Sequence, residues 1–245
     1  MRKEEKLRRF YDVIDNIELY SPKINVFRYR INELIQILHR HRNYFGKYAL
    51  DVGCGGGISS FALEIIGLNV FGIDIQRDMI EIARNAAKKF GFSARFFVGD
   101  ASNISFQDVT FDSIFFLGNV LVHISREELA RTIDNLTNYL NRNGVFVFHY
   151  CDTINEILTG DFFIRSPQMK AAETSFSYNP EEGHFSIIII QRKLRDDLFE
   201  AEKYELYIWA PWILEREMVT KGFKLVLREK LPRNFYLDIY QIKEN

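Results

Sequence analysis

The stretch from Tyr48 to Ile58, YALDVGCGGGI, decides the fold. A short apolar run reaches Asp51 and gives way to glycines at alternate positions, Gly53, Gly55 and Gly57, which reads as a strand running into a glycine loop. Glycines there let the backbone take positive φ and approach a ligand more closely than a Cβ would permit. Beyond them Ile58, Phe61, Ala62, Ile65 and Ile66 recur at helical spacing. The loop therefore opens a helix whose first amides have no intrahelical partners, and a polar ligand is expected there.

A glycine turn between strand and helix can also be only a tight connection, and a lone G-x-G is weak. The downstream sequence decides. Val70-Phe-Gly-Ile-Asp74 ends a second apolar strand on an acid, Phe96-Phe-Val-Gly-Asp100-Ala101 ends a third, and Phe111 to Leu117 forms a fourth. Met79, Ile80, Ala83, Ala86, Ala87 and Phe90 make a helical face that Gly91 stops. Ser125-Arg-Glu-Glu128 is a capping box and predicts a helix from about Arg126 to Leu140. Asn143-Gly144 then turns the chain into a fifth strand, Val145 to Tyr150. Such alternation predicts an α/β fold with a parallel sheet covered on both faces.

Outward from this core, Met1 to Tyr20 carries Leu7, Phe10, Tyr11, Ile14 and Ile17 on one amphipathic face, and Pro22 ends that helix. A second helix is predicted from about Asn25 to Arg42, with Phe27, Ile31, Leu34, Ile35 and Leu38 on its buried side, closed by the basic run His39-Arg-His-Arg42, where positive charge suits a helix C-terminus. The rhythm breaks between Cys151 and Ala210. Ile154 to Leu158 reads as a helical turn, Pro167 to Tyr178 as irregular, and His184 to Leu194 with Leu198 to Trp209 as an inserted hairpin. A helix from Trp212 to Lys221 and strands Phe223 to Glu229 and Phe235 to Ile242 close the chain. The expected segments are 1–45 (N-terminal helices), 46–150 (core), 151–210 (insert) and 211–245 (end of the core sheet).

With 245 residues and 47% hydrophobic content, the chain can bury one full core. Thirty-two basic residues against 33 acidic ones give a net charge of -1, so no strong field for nucleic acid or membrane is expected. The opening MRKEEK lacks a signal-peptide core and no apolar run reaches the ~20 residues of a membrane span, which predicts a cytoplasmic protein. Cys54 and Cys151 are too few for a disulfide framework and lack metal-ligand spacing, so no metal is expected.

The core segment resembles the class I S-adenosylmethionine-dependent methyltransferase family, of the small-molecule type, whose first motif is a D-x-G-C-G-x-G loop like Asp51 to Gly57. The resemblance covers Tyr48 to Tyr150 and, more loosely, the C-terminal strands. It implies a Rossmann-like, seven-stranded, mostly parallel sheet completed by an antiparallel pair, with the N-terminal helices as a lid bearing Tyr11 and Tyr20. S-adenosylmethionine would be the cofactor and S-adenosylhomocysteine the product. A carboxylate at a strand end can accept from both hydroxyls of a ribose, the role expected of Asp74, with Ile75 beside it. By the resemblance, Asp100 lies near the adenine amine and the Ala101 backbone near a ring nitrogen. Asp51 faces the methionine end, where Gly53, Cys54, Gly55 and Gly57 form the loop and Gly118 and Asn119 approach through their backbone. No Asn- or Asp-Pro-Pro-aromatic run follows the fourth strand, which disfavours amino methylation of bases or glutamine.

Methyl transfer from a sulfonium is an in-line displacement, for which the protein supplies position and shelter. A base is needed only when the acceptor must lose a proton, and His123 and His149, past the fourth strand and at the end of the fifth, are the catalytic candidates. Tyr178, Tyr207 and Trp209, with Phe185, Tyr204 and Trp212, are candidates for an aromatic acceptor pocket; a buried strand or a homodimer contact through the hairpin is the alternative. A nicotinamide dehydrogenase is the nearest rival, since Gly55-Gly-Gly57-Ile-Ser-Ser60 is a degraded form of its fingerprint. The acid before the glycines, the Gly99-Asp-Ala101 turn and the absence of Tyr-x-x-x-Lys argue against it. The expected function is methyl transfer to a small-molecule acceptor; RNA or protein methylation, or a non-catalytic cofactor-sensing role, are the alternatives.

Overall fold

The computed structural model describes residues 25–159, 173–179, 184–192 and 199–243. In chain order its helices are α1 (Asn25–His39), α2 (Ile58–Ile65), α3 (Arg77–Phe90), α4 (Arg126–Thr137), α5 (Thr153–Thr159) and α6 (Pro211–Thr220). The strands are β1 (Tyr48–Val52), β2 (Asn69–Asp74), β3 (Arg95–Val98), β4 (Phe111–Phe116), β5 (Leu140–Cys151), β6 (Glu173–Asn179), β7 (His184–Arg192), β8 (Phe199–Tyr207), β9 (Phe223–Lys230) and β10 (Phe235–Ile242).

Among the described residues ten strands form two sheets, one of seven strands in the order β3-β2-β1-β4-β5-β10-β9 and one of three in the order β6-β7-β8. In the large sheet β1 pairs in parallel with β2 and β4, while β10 runs antiparallel to both β5 and β9. The order reverses between β1 and β4, and ligands of open α/β sheets bind outside the strand ends at such a switch point. Helices α1, α2 and α3 cover one face, packed on Ala49, Phe115, Val145, Val147 and Leu237. Helices α4 and α6 cover the other, on Leu50, Ile114, Phe146, Phe148 and Tyr240. The α/β, Rossmann-like, seven-stranded sheet expected from the sequence is the observed one.

Four details differ from the sequence reading. First, α1 buries the expected Ile31, Leu34 and Leu38, together with Ile37, in the cluster that includes Phe61 and Ala62 of α2, so this helix is part of the core where the resemblance implies a lid. The basic run after it reaches across the fold as well as back to its own helix. Arg40 contacts Gln36 O at 3.2 Å, while Arg40 and His41 both hold the Glu229 carboxylate of β9, at 2.5 and 2.6 Å. Arg42 donates from Nε to Ile66 O at 2.8 Å, fastening the end of α2 as well. The lid expectation for Tyr11 and Tyr20 lies outside the described residues.

Second, the described part of the insert holds three antiparallel strands, because β6 occupies a stretch read as irregular; β6 pairs with β7 without a register shift from Glu173↔Ile190 to Asn179↔His184. Its sequence, ETSFSYN, alternates small polar with aromatic residues but has no apolar run to announce a strand. Third, β5 begins at Leu140 and α4 stops at Thr137, so Asn143-Gly144 sits inside a strand instead of turning into one. The register shifts between Phe111 and Ser113 at this point, and a Cβ on Gly144 would lie 2.7 Å from the Leu140 side chain. The glycine serves a bulge.

Fourth, Trp209 is an interior anchor. It is fully buried, and its indole donates to Ile124 O at 3.1 Å. Its backbone N–H donates to Thr153 Oγ1 at 2.7 Å, and the Thr153 hydroxyl donates to Trp209 O at 2.9 Å. The exit of the insert is thereby clamped to the end of β5.

Candidate cofactor and acceptor site

The glycine loop leaves β1 and is pinned at once to β2, because Gly53 N–H and Cys54 N–H both donate to Ile73 O, at 2.8 and 3.0 Å. Gly53 has φ +69, and a Cβ there would lie 2.2 Å from Val120 Cγ2, so its bareness lets the turn after β4 close onto the loop. Gly55 is different. It has φ +51, and only Met79 Cε lies near where its Cβ would be, at 3.5 Å. Its role is conformational and leaves the loop open on that side.

Asp74 ends β2 and holds the loop in shape. Its Oδ2 accepts from Gly55 N–H and its Oδ1 from Gln76 N–H, each at 2.8 Å. An ionised carboxylate has capacity for more acceptor bonds than these two. Asp51 is buried completely, and the hydroxyls of Ser59 and Ser60 both donate to its Oδ2 at 2.6 Å. Its Oδ1 is buried with no hydrogen-bond partner among the described residues. Burial pushes the Asp51 carboxyl up to about 6, against the pull of the two serines and with a smaller push from Asp74. Ser59 and Ser60 were missed as site residues; they appeared only inside the rival fingerprint, although their place in the first turn of α2 was the available signal.

On the other side of β2, Gly99 N–H donates to Asp74 O at 2.9 Å. Asp100 is exposed, its Oδ1 accepting from Ser102 N–H at 2.9 Å. Asn135 of α4 donates from Nδ2 to Ala101 O and Ile104 O, both at 3.0 Å, which fixes the turn carrying Ala101. Ile75 is partly buried beside the buried Gln76. Gly57, at φ +93, packs against the Phe61 ring. Cys54 is buried against Gly72, and burial raises its thiol well above the usual range, which makes it a small packed residue and no nucleophile.

After β4, Gly118 and Asn119 both take positive φ, +69 and +68. Asn119 N–H donates to His149 O at 3.2 Å, and Asn119 Oδ1 accepts from Cys151 N–H at 3.0 Å. Its side chain thus extends the β4–β5 junction past the last ladder bond. His123 is buried in the 3-10 turn Val120–His123. His149 stands at the end of β5 with its ring stacked on Phe235, centroids 5.0 Å apart and planes at 25°. Its Nδ1 is buried without a hydrogen-bond partner among the described residues, and burial lowers the imidazole to about 4.

The structure brings Asp51, the glycines, Asp74, Asp100, Ala101, Gly118, Asn119 and His149 to one edge of the sheet. It does not bring the aromatic candidates into one wall. Tyr178 pairs with Phe185 and so with Leu206, whereas Tyr207 pairs with His184 and so with Asn179. Successive residues face opposite sides, so Tyr178 and Tyr207 lie on opposite faces of the small sheet. Tyr178 and Trp212 are exposed, and Tyr207 packs on the core near Trp209. Among the described residues no cluster of three or more His, Cys, Asp or Glu is suited to a metal ion.

The switch point, the glycine loop and the strand-end acids gather in one segment of the chain, and that segment has known relatives. Residues 49–144 match the family described as "Methyltransferase domain". A ubiquinone biosynthesis O-methyltransferase from Rickettsia felis is 31% identical over 127 residues, 51% of this chain and 49% of that protein. One of the same name from Actinobacillus pleuropneumoniae serotype 7 is 44% identical over 57 residues, 23% of this chain and 24% of that protein. The chain thus spans a quarter to a half of the length of these curated relatives. Among solved structures, a protein of Pyrococcus horikoshii OT3 is 27% identical with a TM-score of 0.76, covering 96% of this chain and 99% of that one. An S-adenosylmethionine-dependent methyltransferase from Clostridium acetobutylicum shares the fold at 16% identity and a TM-score of 0.66, covering 99% of this chain and 100% of that one.

Proposed function

We propose that the protein transfers the methyl group of S-adenosylmethionine to a small-molecule acceptor. The observation that carries this reading is Asp51: a fully buried carboxylate with one oxygen held by two serines and the other without a partner among the described residues, beneath an open glycine loop. A bare buried oxygen of this kind is costly, and a cationic ligand relieves it. S-adenosylmethionine brings an ammonium and a sulfonium, so the donor set fits the group, which supplies the electrophilic methyl when bound. Asp51 would hold the cationic end, the backbone of Gly55 and Gly118 would allow close approach, Asp74 would accept from the ribose hydroxyls, and the Asp100–Ala101 turn would receive the base.

The small-molecule assignment is supported by the near-neutral charge and by relatives named for ubiquinone biosynthesis. Two buried free thiols suit a reducing compartment, and we place the protein in the cytoplasm; no described helix is long and apolar enough to cross a membrane. A homodimer through the insert belongs to the same reading, since β6 has no second strand partner among the described residues.

Calorimetry tests the cofactor. S-adenosylmethionine and S-adenosylhomocysteine should bind and NAD should not; the reverse result sinks the reading. Asp74→Ala should weaken cofactor binding by about 1.5–3 kcal/mol through loss of charge-assisted hydrogen bonds, and unchanged affinity would remove Asp74 from the site. Labelled cofactor offered separately to metabolite, RNA and protein fractions should label the metabolites.

A further inference from the structure

After β4 the chain makes a turn in which the polar groups of one residue can be accounted for singly. Asn119 N–H donates to His149 O at 3.2 Å, its carbonyl accepts from Val122 N–H at 3.4 Å, and its Oδ1 accepts from Cys151 N–H at 3.0 Å. A backbone N–H needs an acceptor, so the oxygen of the side-chain amide faces Cys151 and the nitrogen is the end turned away. Asn119 is half-buried, and its Nδ2, which carries two donors, has no hydrogen-bond partner among the described residues. The backbone expected to approach a ligand is thus occupied within the fold, and the side chain is the part left to do so. Its mount is rigid. Asn119 holds φ +68, a left-handed conformation that asparagine tolerates better than most residues, and it is tied to β5 through both backbone and side chain.

There is room beside this donor. Gly118 is exposed, and no heavy atom lies within 4 Å of where its Cβ would be. On the other side Val120 closes onto Gly53 of the glycine loop. Asn119 therefore stands where the loop of β1 and the ends of β4 and β5 meet, one strand spacing of about 5 Å from the strand of Asp51. The loop itself turns its donors inward: Gly53 and Cys54 N–H go to Ile73 O, Gly55 N–H to Asp74 and Gly57 N–H to Cys54 O. A neutral amide also suits the neighbourhood of a sulfonium, which a lysine or arginine in the same place would repel.

Resting on the methyl-transfer reading, we propose that Asn119 selects the acceptor, its Nδ2 donating to an oxygen carried beside the group that takes the methyl. The substrate class is a small molecule with a hydrogen-bond-accepting oxygen on an atom neighbouring the methylated one. An acceptor with an N–H donor in that place sets donor against donor and leaves Nδ2 without an acceptor, which discriminates against it. The amide makes and breaks no covalent bond; it fixes where the acceptor lies relative to the methyl.

The experiment offers labelled S-adenosylmethionine and the small-molecule fraction of a cell extract to wild type, Asn119→Asp and Asn119→Ala. The structures of the labelled products are determined, and calorimetry of S-adenosylhomocysteine is run on each protein. Asn119→Asp keeps an oxygen for Cys151 N–H and a side chain that tolerates the left-handed backbone, but turns an oxygen outward in place of the NH2. Wild-type products should carry an oxygen next to the methylated atom. Asn119→Asp should label them at least about 30-fold more slowly, bind S-adenosylhomocysteine within about threefold of wild type, and shift its remaining labelling toward products with an N–H donor in that place. Asn119→Ala should lose about tenfold without that shift. A merely structural role would lower the rates without changing which products are labelled. Labelling by Asn119→Asp in unchanged proportions or within about threefold of wild type, wild-type products that lack the neighbouring oxygen, or loss of S-adenosylhomocysteine binding by folded Asn119→Asp overturns the proposal and leaves methyl transfer standing. Wild type that fails to bind the cofactor, or binds it and labels nothing, overturns the parent reading and this one with it.

Discussion

At the β1–β2 end of the sheet, the groups that meet are near neighbours in the chain: Ser59 and Asp51 are 8 residues apart, Gly55 and Asp74 are 19. At the β5–β10 end they are distant: Thr153 and Trp209 are 56 residues apart, Tyr150 and Asp238 are 88. The first region is shaped by one strand, loop and helix unit and by glycine conformation. The second exists only after the insert has returned and the closing strands have docked. On the proposed reading, the cofactor end would rest on local structure and the acceptor end on tertiary assembly.

The contrast is strongest at Asp238, which is buried completely. Arg228 clasps it with Nε on Oδ1 at 2.9 Å and a terminal nitrogen on Oδ2 at 2.8 Å, while Tyr150 and Tyr240 donate their hydroxyls to Oδ2 at 2.8 and 3.1 Å. Arg228 also contacts Glu215 of α6 at 3.0 Å. Burial and the adjacent carboxylate raise both tyrosine hydroxyls above their ordinary range. Asp238→Ala leaves the guanidinium and both hydroxyls without their shared acceptor and should cost about 3–5 kcal/mol in urea denaturation. Below the midpoint the surviving folded protein should bind S-adenosylmethionine within about threefold of wild type. Abolished binding in folded protein would mean that the two ends are not separable.

Asp51→Asn should move stability the other way. Its carboxyl titrates at about 6 in the folded protein against an ordinary 3.8, so the folded state takes up a proton first as pH falls. The charged form therefore costs stability above about pH 6, and that cost disappears as the pH drops toward the unfolded value. An amide copies the neutral form. The variant should gain up to about 3 kcal/mol at pH 8, with the gain vanishing near pH 4, and should lose cofactor affinity. A variant that is no more stable at pH 8 would show that the two serines fully offset the burial of the charge.

Ser125→Ala is the smallest test. It removes a capping box in which Ser125 Oγ accepts from Glu128 N–H at 3.1 Å and Glu128 accepts from Ser125 N–H at 2.9 Å. The loss should be about 1 kcal/mol with no change in cofactor affinity, which sharpens the comparison by giving a local contact with no reach into the site.

The same contrast explains what the sequence made legible. The glycine loop, the acid ending β2 and the Ser125 cap are short-range patterns, each readable within a few residues. Spacing within one unit also placed Asp51, although its serine partners passed unnoticed because a hydroxyl in a helix has no periodic signature. The burial of α1, the indole of Trp209 on Ile124 O and the third strand of the insert depend on partners far along the chain. Apolar spacing said that α1 has a buried face but not what covers it. Aromatic content suggested a pocket around Tyr178, Tyr207 and Trp209, and only strand pairing separates the first two onto opposite faces.

The sheet order β5-β10-β9 also bears on how the protein is made. During synthesis β9 emerges before β10, yet β10 is the strand that joins it to β5. The nascent chain therefore waits with the edge of β5 uncovered and Arg228 outside, without Asp238 to receive it. Until β10 docks, β5 presents an open strand edge that chaperones or another nascent chain could capture.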